Sequence, residues 1–162
     1  MNGFFARLLG ALVEAGVEFV IVGGVAGRFH GSSLLTDDVD IVYRRTRENI
    51  ERLARALAPL HPRLRGADDG LPFIFDAETI RHGLNFTLST DAGPIDCLGE
   101  ISGIGGYEAA AQHAVPGEVF GLRCLFLSLD DLITAKRAAA RRKDAEMLAQ
   151  LEVIREELHR LG

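Results

Sequence analysis

The chain predicts an α/β (α+β) fold: a small mixed β-sheet flanked by helices and closed by a C-terminal helical pair. Three observations carry this. The apolar run Val17 to Val22 ends in Gly23-Gly24, as expected of a strand buried on both faces that meets a turn. Asp38 to Tyr43 (DVDIVY) reads as a second strand bearing two carboxylates. From Ser128 onward, apolar residues recur at helical spacing. The 162 residues are enough for one domain with a sizeable core. The spacing divides it into a core over 1–127 and a helical pair over 128–162.

Composition narrows the class. Hydrophobic content of 48% and charged content of 25% are those of an ordinary globular protein. Cys97 and Cys124 both sit in apolar runs without metal-ligand spacing, so they read as reduced core thiols of a cytoplasmic protein. The N-terminal stretch is too short and too interrupted for a membrane span or a secretory signal. A net charge of −5 argues against a protein that coats nucleic acid, while leaving room for a local basic patch.

The elements follow in order. Phe5, Leu8, Leu9, Leu12 and Val13 form one helical stripe, and Gly16 is placed to end that helix with a left-handed residue. After the first strand, Val25 to His30 reads as a short helix and Gly31-Ser32-Ser33 as a turn back. Thr46 is a candidate N-cap with Glu48 in the first turn. Ile50, Leu53, Ala54 and Leu57 supply the buried stripe of that helix, and Pro59 and Pro62 mark its end. Residues 61–71 read as loop by composition, Pro72 to Phe75 as a short strand, and Ala77 to His82 as one helical turn. Asn85 to Ser89 alternates with period two, Asp91 to Pro94 is a turn, and Ile95 to Leu98 completes a hairpin. Residues 106–113 read as a helix, and Val119-Phe120 with Leu122 to Leu127 as the final strand region. Ser128-Leu129-Asp130-Asp131 resembles a capping box. A break near Arg141-Arg142 precedes a last helix with Met147, Leu148, Leu151, Ile154 and Leu158 on its apolar side.

The chemistry concentrates between Gly23 and Asp40. Side chains two apart on a strand share a face, so Asp38 and Asp40 project together, roughly 6–7 Å apart along the chain. Such a pair repels by roughly 2–4 kcal/mol at an effective dielectric near 20 unless a cation sits between them. Glycines upstream let backbone N–H groups approach a phosphate. Asp96, on a later strand, is a natural third carboxylate. Acids from neighbouring strands are what two-metal phosphoryl transfer needs, with ions ~3.5–4 Å apart. Asp38, Asp40 and Asp96 are therefore the candidate metal ligands and catalytic residues. Two Mg²⁺ ions are the expected cofactor, with Mn²⁺ as the alternative, and an NTP is the expected substrate.

These residues resemble the nucleotidyltransferase superfamily that includes DNA polymerase β. The likeness lies in Gly23-Gly24, in Thr36-Asp37-Asp38-Val39-Asp40, and in Gly93-x-Ile95-Asp96. The segment from Ser128-Leu129-Asp130-Asp131-Leu132-Ile133 to Asp144 resembles the C-terminal helices of small stand-alone AbiEii-like and MNT-like members. The resemblance implies a nucleotidyltransferase fold and transfer of an NMP group from an NTP to a hydroxyl acceptor, with release of pyrophosphate. It further implies a toxin of a toxin–antitoxin pair, with an antitoxin partner and tRNA, protein or a small molecule as acceptor. Many members carry Gly-Ser where this chain has Gly23-Gly24. Phosphate binding would then rest on the backbone of Gly23 and Gly24, with Ser32 and Ser33 as candidate hydroxyls.

Lys136 lies one turn from Leu132 and Ile133, on a face that should be buried, and Asp144 shares the stripe of Leu148 and Leu151. A buried lysine needs an anion or a route to water. Lys136 is thus a candidate triphosphate ligand and Asp144 its orienting partner. The alternative is a structural ion pair between the helices. His30, Arg28, the cluster Arg44, Arg45 and Arg47, and the basic group from Lys136 to Lys143 each have a local structural alternative as well. Two further function classes remain in view: a catalytically silent nucleotide-binding regulatory module, and a metal-dependent phosphodiesterase. The triphosphate-suited glycine turn disfavours the latter.

Overall fold

A computed structural model describes residues 2–68 and 70–162. Among them the chain forms seven strands in one mixed sheet, ordered β3-β4-β5-β2-β1-β7-β6. The strands are β1 (Phe19–Val22), β2 (Val39–Tyr43), β3 (Arg63–Leu64), β4 (Phe86–Thr90), β5 (Gly93–Leu98), β6 (Val115–Val119) and β7 (Leu122–Phe126). The helices are α1 (Asn2–Glu14), α2 (Gly23–Phe29), α3 (Arg47–Leu57), α4 (Ala77–His82), α5 (Tyr107–Gln112), α6 (Leu129–Ala139) and α7 (Ala145–Leu161). This is the expected mixed sheet flanked by helices.

The centre of the sheet is parallel where it matters. β2 runs parallel to β5 and antiparallel to β1, and β1 runs parallel to β7. Val20, Ile21, Val39, Ile41, Ile95 and Cys97 are fully buried, so these strands are covered on both faces, as their near-continuous apolar runs require. α1 and α3 pack against each other, and α1 also meets β5 and β7. α2, α6 and α7 cluster together: α2 touches α6, α6 touches α7, and Gly27 of α2 leaves the space that Met147 of α7 fills.

Local signals behave as their chemistry demands. Gly16 has φ +74 after α1. Thr46 and Ser128 each accept a bond from the backbone N–H three residues on, which satisfies an otherwise orphaned donor. α3 buries Ile50, Leu53 and Leu57 as expected, and also Asn49. The Asn49 side chain accepts from Glu18 N at 2.6 Å and donates to the carbonyls of Glu18 and Arg44 at 2.9 and 2.8 Å. One amide thereby ties α3 to the entry of β1 and the exit of β2. Both cysteines are buried free thiols, and burial raises each pKa.

Several expectations are corrected. α2 begins at Gly23, so the glycine pair is the first turn of a helix and not a loop ahead of one. Residues 61–71 are not wholly loop: Arg63–Leu64 pairs with Leu88–Ser89 as an edge strand, while Asp69 of that segment lies outside the described residues. Pro72 to Phe75 has no strand partner; Phe75 is instead buried against the ring of Phe86. The last strand region is a hairpin that already starts at Val115. Leu158 is exposed because α7 runs past the core it covers with Met147 and Leu151.

Candidate active site

Strand register builds the site. Asp40 of β2 is the partner of Asp96 of β5 in a parallel ladder, and the partner of Val22 of β1 on the other side. Paired residues share a face, so Asp40 and Asp96 must project together. Asp38, just before β2, lies one strand period earlier on that face. Each of the three acids offers one carboxylate oxygen, and these atoms lie within 4.8 Å of one another. The structure thus brings together the three acids picked out in the sequence.

Glycine makes the packing possible. Gly23 has φ +64, and a Cβ there would lie 1.9 Å from Asp40 Oδ2. A Cβ on Gly24 would lie 2.5 Å from Thr36 Oγ1, and that hydroxyl donates to the Asp38 carbonyl at 3.2 Å. The glycine pair therefore clears room for Asp40 and for the turn that delivers Asp38.

Two of the acids, Asp38 and Asp40, resist ionisation. Burial, with Asp38 and Asp96 beside it, pushes the Asp40 carboxyl up to about 8. Burial and Asp96 raise Asp38, while Arg65 and Lys143 pull the other way. Asp40 Oδ1 is buried with no hydrogen-bond partner. An unpaired buried carboxylate oxygen is costly. Hard oxygen donors, three close carboxylates and an orphaned lone pair are together what a divalent cation satisfies.

A cavity of about 380 Å³ opens beside Asp40 and Gly23. Leu98, Ile101 and Leu132 give it an apolar wall, and Lys136, Arg141 and Asn85 give it polar ends. Lys136 is buried and its Nζ lies 3.4 Å from Asp144 Oδ1. Arg141 Nε donates to the other Asp144 oxygen at 2.8 Å. The ion pair between the helical segments and the cavity position thus coexist in one lysine. Ser33 does not line this cavity; its hydroxyl accepts from Gln150 at 3.0 Å, and Ser32 donates to Gln150 at 2.8 Å.

Other basic residues have local partners. His30 contacts the Leu127 carbonyl at 2.8 Å. Arg28 donates to the carbonyls of Ser33 and Leu34. Arg44 pairs with Glu18 and Glu108, Arg45 donates to Tyr43 and to carbonyls at the end of α4, and Arg47 pairs with Glu51.

Sequence reasoning missed Arg65. It follows β3, its backbone N–H donates to Thr87 O, and its Nη2 lies 2.9 Å from Asp96 Oδ1. Its Nη1 lies 3.6 Å from Asp38 Oδ2. No motif announces it, because a two-residue edge strand has no periodicity to detect. The only signal was the Arg63-x-Arg65 spacing, which puts two guanidiniums on one strand face.

No protein-family model and no curated protein match the chain. Solved structures do. The antibiotic-resistance factor ANT(2″)-Ia in solution aligns over 96% of this chain and 89% of its own, at 19% identity and a TM-score of 0.57. The crystal structure of ANT(2″)-Ia in complex with adenylyl-2″-tobramycin aligns over 98% and 97%, at 18% identity and 0.56. A Thermotoga maritima protein described as a candidate nucleotidyltransferase aligns over 90% and 88%, at 17% identity and 0.56. The AbiEii-like and MNT-like likeness, with its toxin role and antitoxin partner, rests on sequence motifs alone. No helix among the described residues is long and apolar enough to cross a membrane. What the chain shares with these structures, across nearly its whole length, is the nucleotidyltransferase fold.

Proposed function

We propose that the chain is a metal-dependent nucleotidyltransferase that moves an NMP group from an NTP to a hydroxyl acceptor and releases pyrophosphate. The observation that carries this is the convergence of Asp38, Asp40 and Asp96 within 4.8 Å, beside a cavity walled by Gly23 and Lys136. Asp38, Asp40 and Asp96 are the residues that would hold Mg²⁺. Such ions, when bound, neutralise triphosphate charge and acidify an acceptor hydroxyl.

The chain's own groups have distinct tasks in this reading. Lys136, held by Asp144, faces the triphosphate as a buried cation that keeps most of its field. The backbone of Gly23 and Gly24 takes phosphate oxygens without side-chain obstruction. The acceptor oxygen bonds to the α-phosphorus as the bond from that phosphorus to the bridging oxygen breaks. Pyrophosphate leaves with the electron pair, and Asp96 receives the hydroxyl proton. Leu98, Ile101 and Leu132 offer the base an apolar wall.

The test is label transfer. Wild type is incubated with α-³²P-labelled NTPs, Mg²⁺ and total tRNA or cell lysate, beside Asp38→Asn. Transfer by wild type alone supports the reading. Nucleotide binding without transfer to any acceptor identifies a regulatory module instead, and nucleic-acid cleavage without NTP identifies a phosphodiesterase.

A further inference from the structure

Arg65, just past β3, lies in one row with Thr87 of β4, Asp96 of β5 and Asp40 of β2. Asp40 pairs with Asp96, Asp96 with Thr87, and the Arg65 N–H donates to Thr87 O. Register puts all four side chains on the same face of the sheet. The row has two different flanks. On the Asp40 side lie Lys136, Arg141 and the 380 Å³ cavity. On the Asp96 side lie the exposed hydroxyl of Thr87, the half-buried hydroxyl of Ser89 and the guanidiniums of Arg65 and Arg63. Arg63 and Ser89 also line a second groove of about 440 Å³, together with Phe73 and Asp68.

The Arg65 guanidinium is under-used. Its Nε is buried with no hydrogen-bond partner, and its Nη1 stands 3.6 Å from Asp38, beyond hydrogen-bond reach. Its Nη2 donates to the Leu88 carbonyl at 2.7 Å and lies 2.9 Å from Asp96 Oδ1, so the group is held in place while the N–H bonds of Nη1 stay available. Arginine presented this way suits a phosphate oxygen. A cation that neutralises the acids would leave this guanidinium with uncompensated charge beside the point where the acceptor hydroxyl must arrive.

We propose that the Arg65 flank of the acids binds the acceptor, and that the acceptor carries a phosphate next to its reacting hydroxyl. The inference rests on the NMP-transfer reading above. The acceptor hydroxyl reaches the α-phosphorus from the Asp96 side and yields its proton, pyrophosphate departs on the Lys136 side, and the acceptor's own phosphate stays intact on Arg65. The chemistry is shared by the sugar–phosphate end of an RNA and by a small sugar phosphate. A polycation such as tobramycin, which the similar ANT(2″)-Ia carries in adenylylated form, would meet the Arg65 guanidinium on this flank.

The experiment offers labelled NTP, Mg²⁺ and four acceptors: a short oligoribonucleotide, ribose 5-phosphate, ribose and tobramycin. Equilibrium binding of Mg²⁺–NTP is measured in parallel. Labelling of a phosphate-bearing acceptor should exceed that of ribose and tobramycin by about tenfold or more in kcat/KM, and the first two arms tell RNA from a small sugar phosphate. Arg65→Gln should raise the acceptor KM about tenfold and leave the NTP KM within about twofold, with partial recovery in Arg65→Lys. Thr87→Asp adds a carboxylate at an exposed position, so it tests the flank even if Arg65→Gln loses stability. It should weaken phosphate-bearing acceptors alone. Oligoribonucleotide binding, read by fluorescence anisotropy, should fall in the same variants. Equal labelling of ribose or tobramycin, an unchanged acceptor KM in both variants, or NTP binding with no labelled phosphate-bearing acceptor overturns the inference. Absence of Mg²⁺–NTP binding overturns the transfer reading itself.

Discussion

Asp40 and Asp96 are register partners on neighbouring parallel strands, so the ladder fixes their backbones side by side and sends both side chains from one face. Their repulsion is therefore built into the backbone. At an effective dielectric near 20 and ~5 Å, each close pair of ionised acids is opposed by about 3 kcal/mol.

Burial of Asp40, with that repulsion added to it, makes stability depend on pH. Asp40 in the folded chain titrates near 8, far above the ordinary carboxylate range. Between about pH 4 and about pH 8 the folded chain holds a proton that the unfolded chain has released, so stability falls as pH rises through that window. Below it both states are protonated and the penalty is absent. Without metal, the Tm of wild type should fall relative to Asp40→Asn from about pH 5 to about pH 8, by several °C. Mg²⁺ should restore the wild-type Tm at the upper end and leave Asp40→Asn nearly unmoved. Parallel Tm curves for the two proteins would refute this.

Gly23→Ala should damage the site more than the fold. A Cβ at φ +64 costs about 1–2 kcal/mol, and its position 1.9 Å from Asp40 Oδ2 forces that carboxylate away. Nucleotidyl transfer should drop about 10²-fold or more. Gly10→Ala is the control: nothing lies within 4 Å of a Cβ there, inside α1, so it should add up to about 1 kcal/mol of stability and leave transfer unchanged.

Lys136→Met separates the two tasks of that lysine. Methionine keeps the apolar stem and removes the charge, and Asp144 keeps its bond from Arg141. Isothermal titration should show NTP binding weakened about tenfold, with a Tm change of only a few °C. Unchanged nucleotide affinity would leave Lys136 as a helix-to-helix ion pair and nothing more.

Asn49→Ala removes three hydrogen bonds from a side chain that is 1% exposed. It strands the N–H of Glu18 and the C=O of Arg44, while the Glu18 C=O keeps its bond from the Arg44 N–H, so a loss of about 2–3 kcal/mol is expected in urea unfolding. A loss below about 1 kcal/mol would mean that water replaces the amide without difficulty.

What could be seen in advance was whatever repeats or caps. The period-two pair Asp38 and Asp40, the hairpin strand holding Asp96, the caps Thr46 and Ser128, and the misplaced-looking Lys136 each leave a local mark in the chain. Arg65 leaves none: its importance comes from lying two strands from Asp96, a relation set by pairing across the sheet. Pro72 to Phe75 misled in the opposite direction, since its apolar residues serve as packing against Phe86 and not as a ladder. Asn49 escaped notice because a polar residue in the first turn of a helix reads as a solvated one. The sequence suggests phosphate access for Gly23, and the structure adds a stricter demand, the volume occupied by Asp40.

β3 has two exposed residues and only β4 to hold it, whereas β2 and β5 lie inside the sheet with neighbours on both edges. Backbone amides of β3 should exchange with solvent quickly and those of β2 and β5 slowly. The two halves of the site therefore differ in mutational freedom. Changes in residues 61–68 and 70–76 can redraw the surface beside Asp96 while the buried ladder under the acids stays intact, so the ground next to the three carboxylates can vary without disturbing the carboxylates themselves.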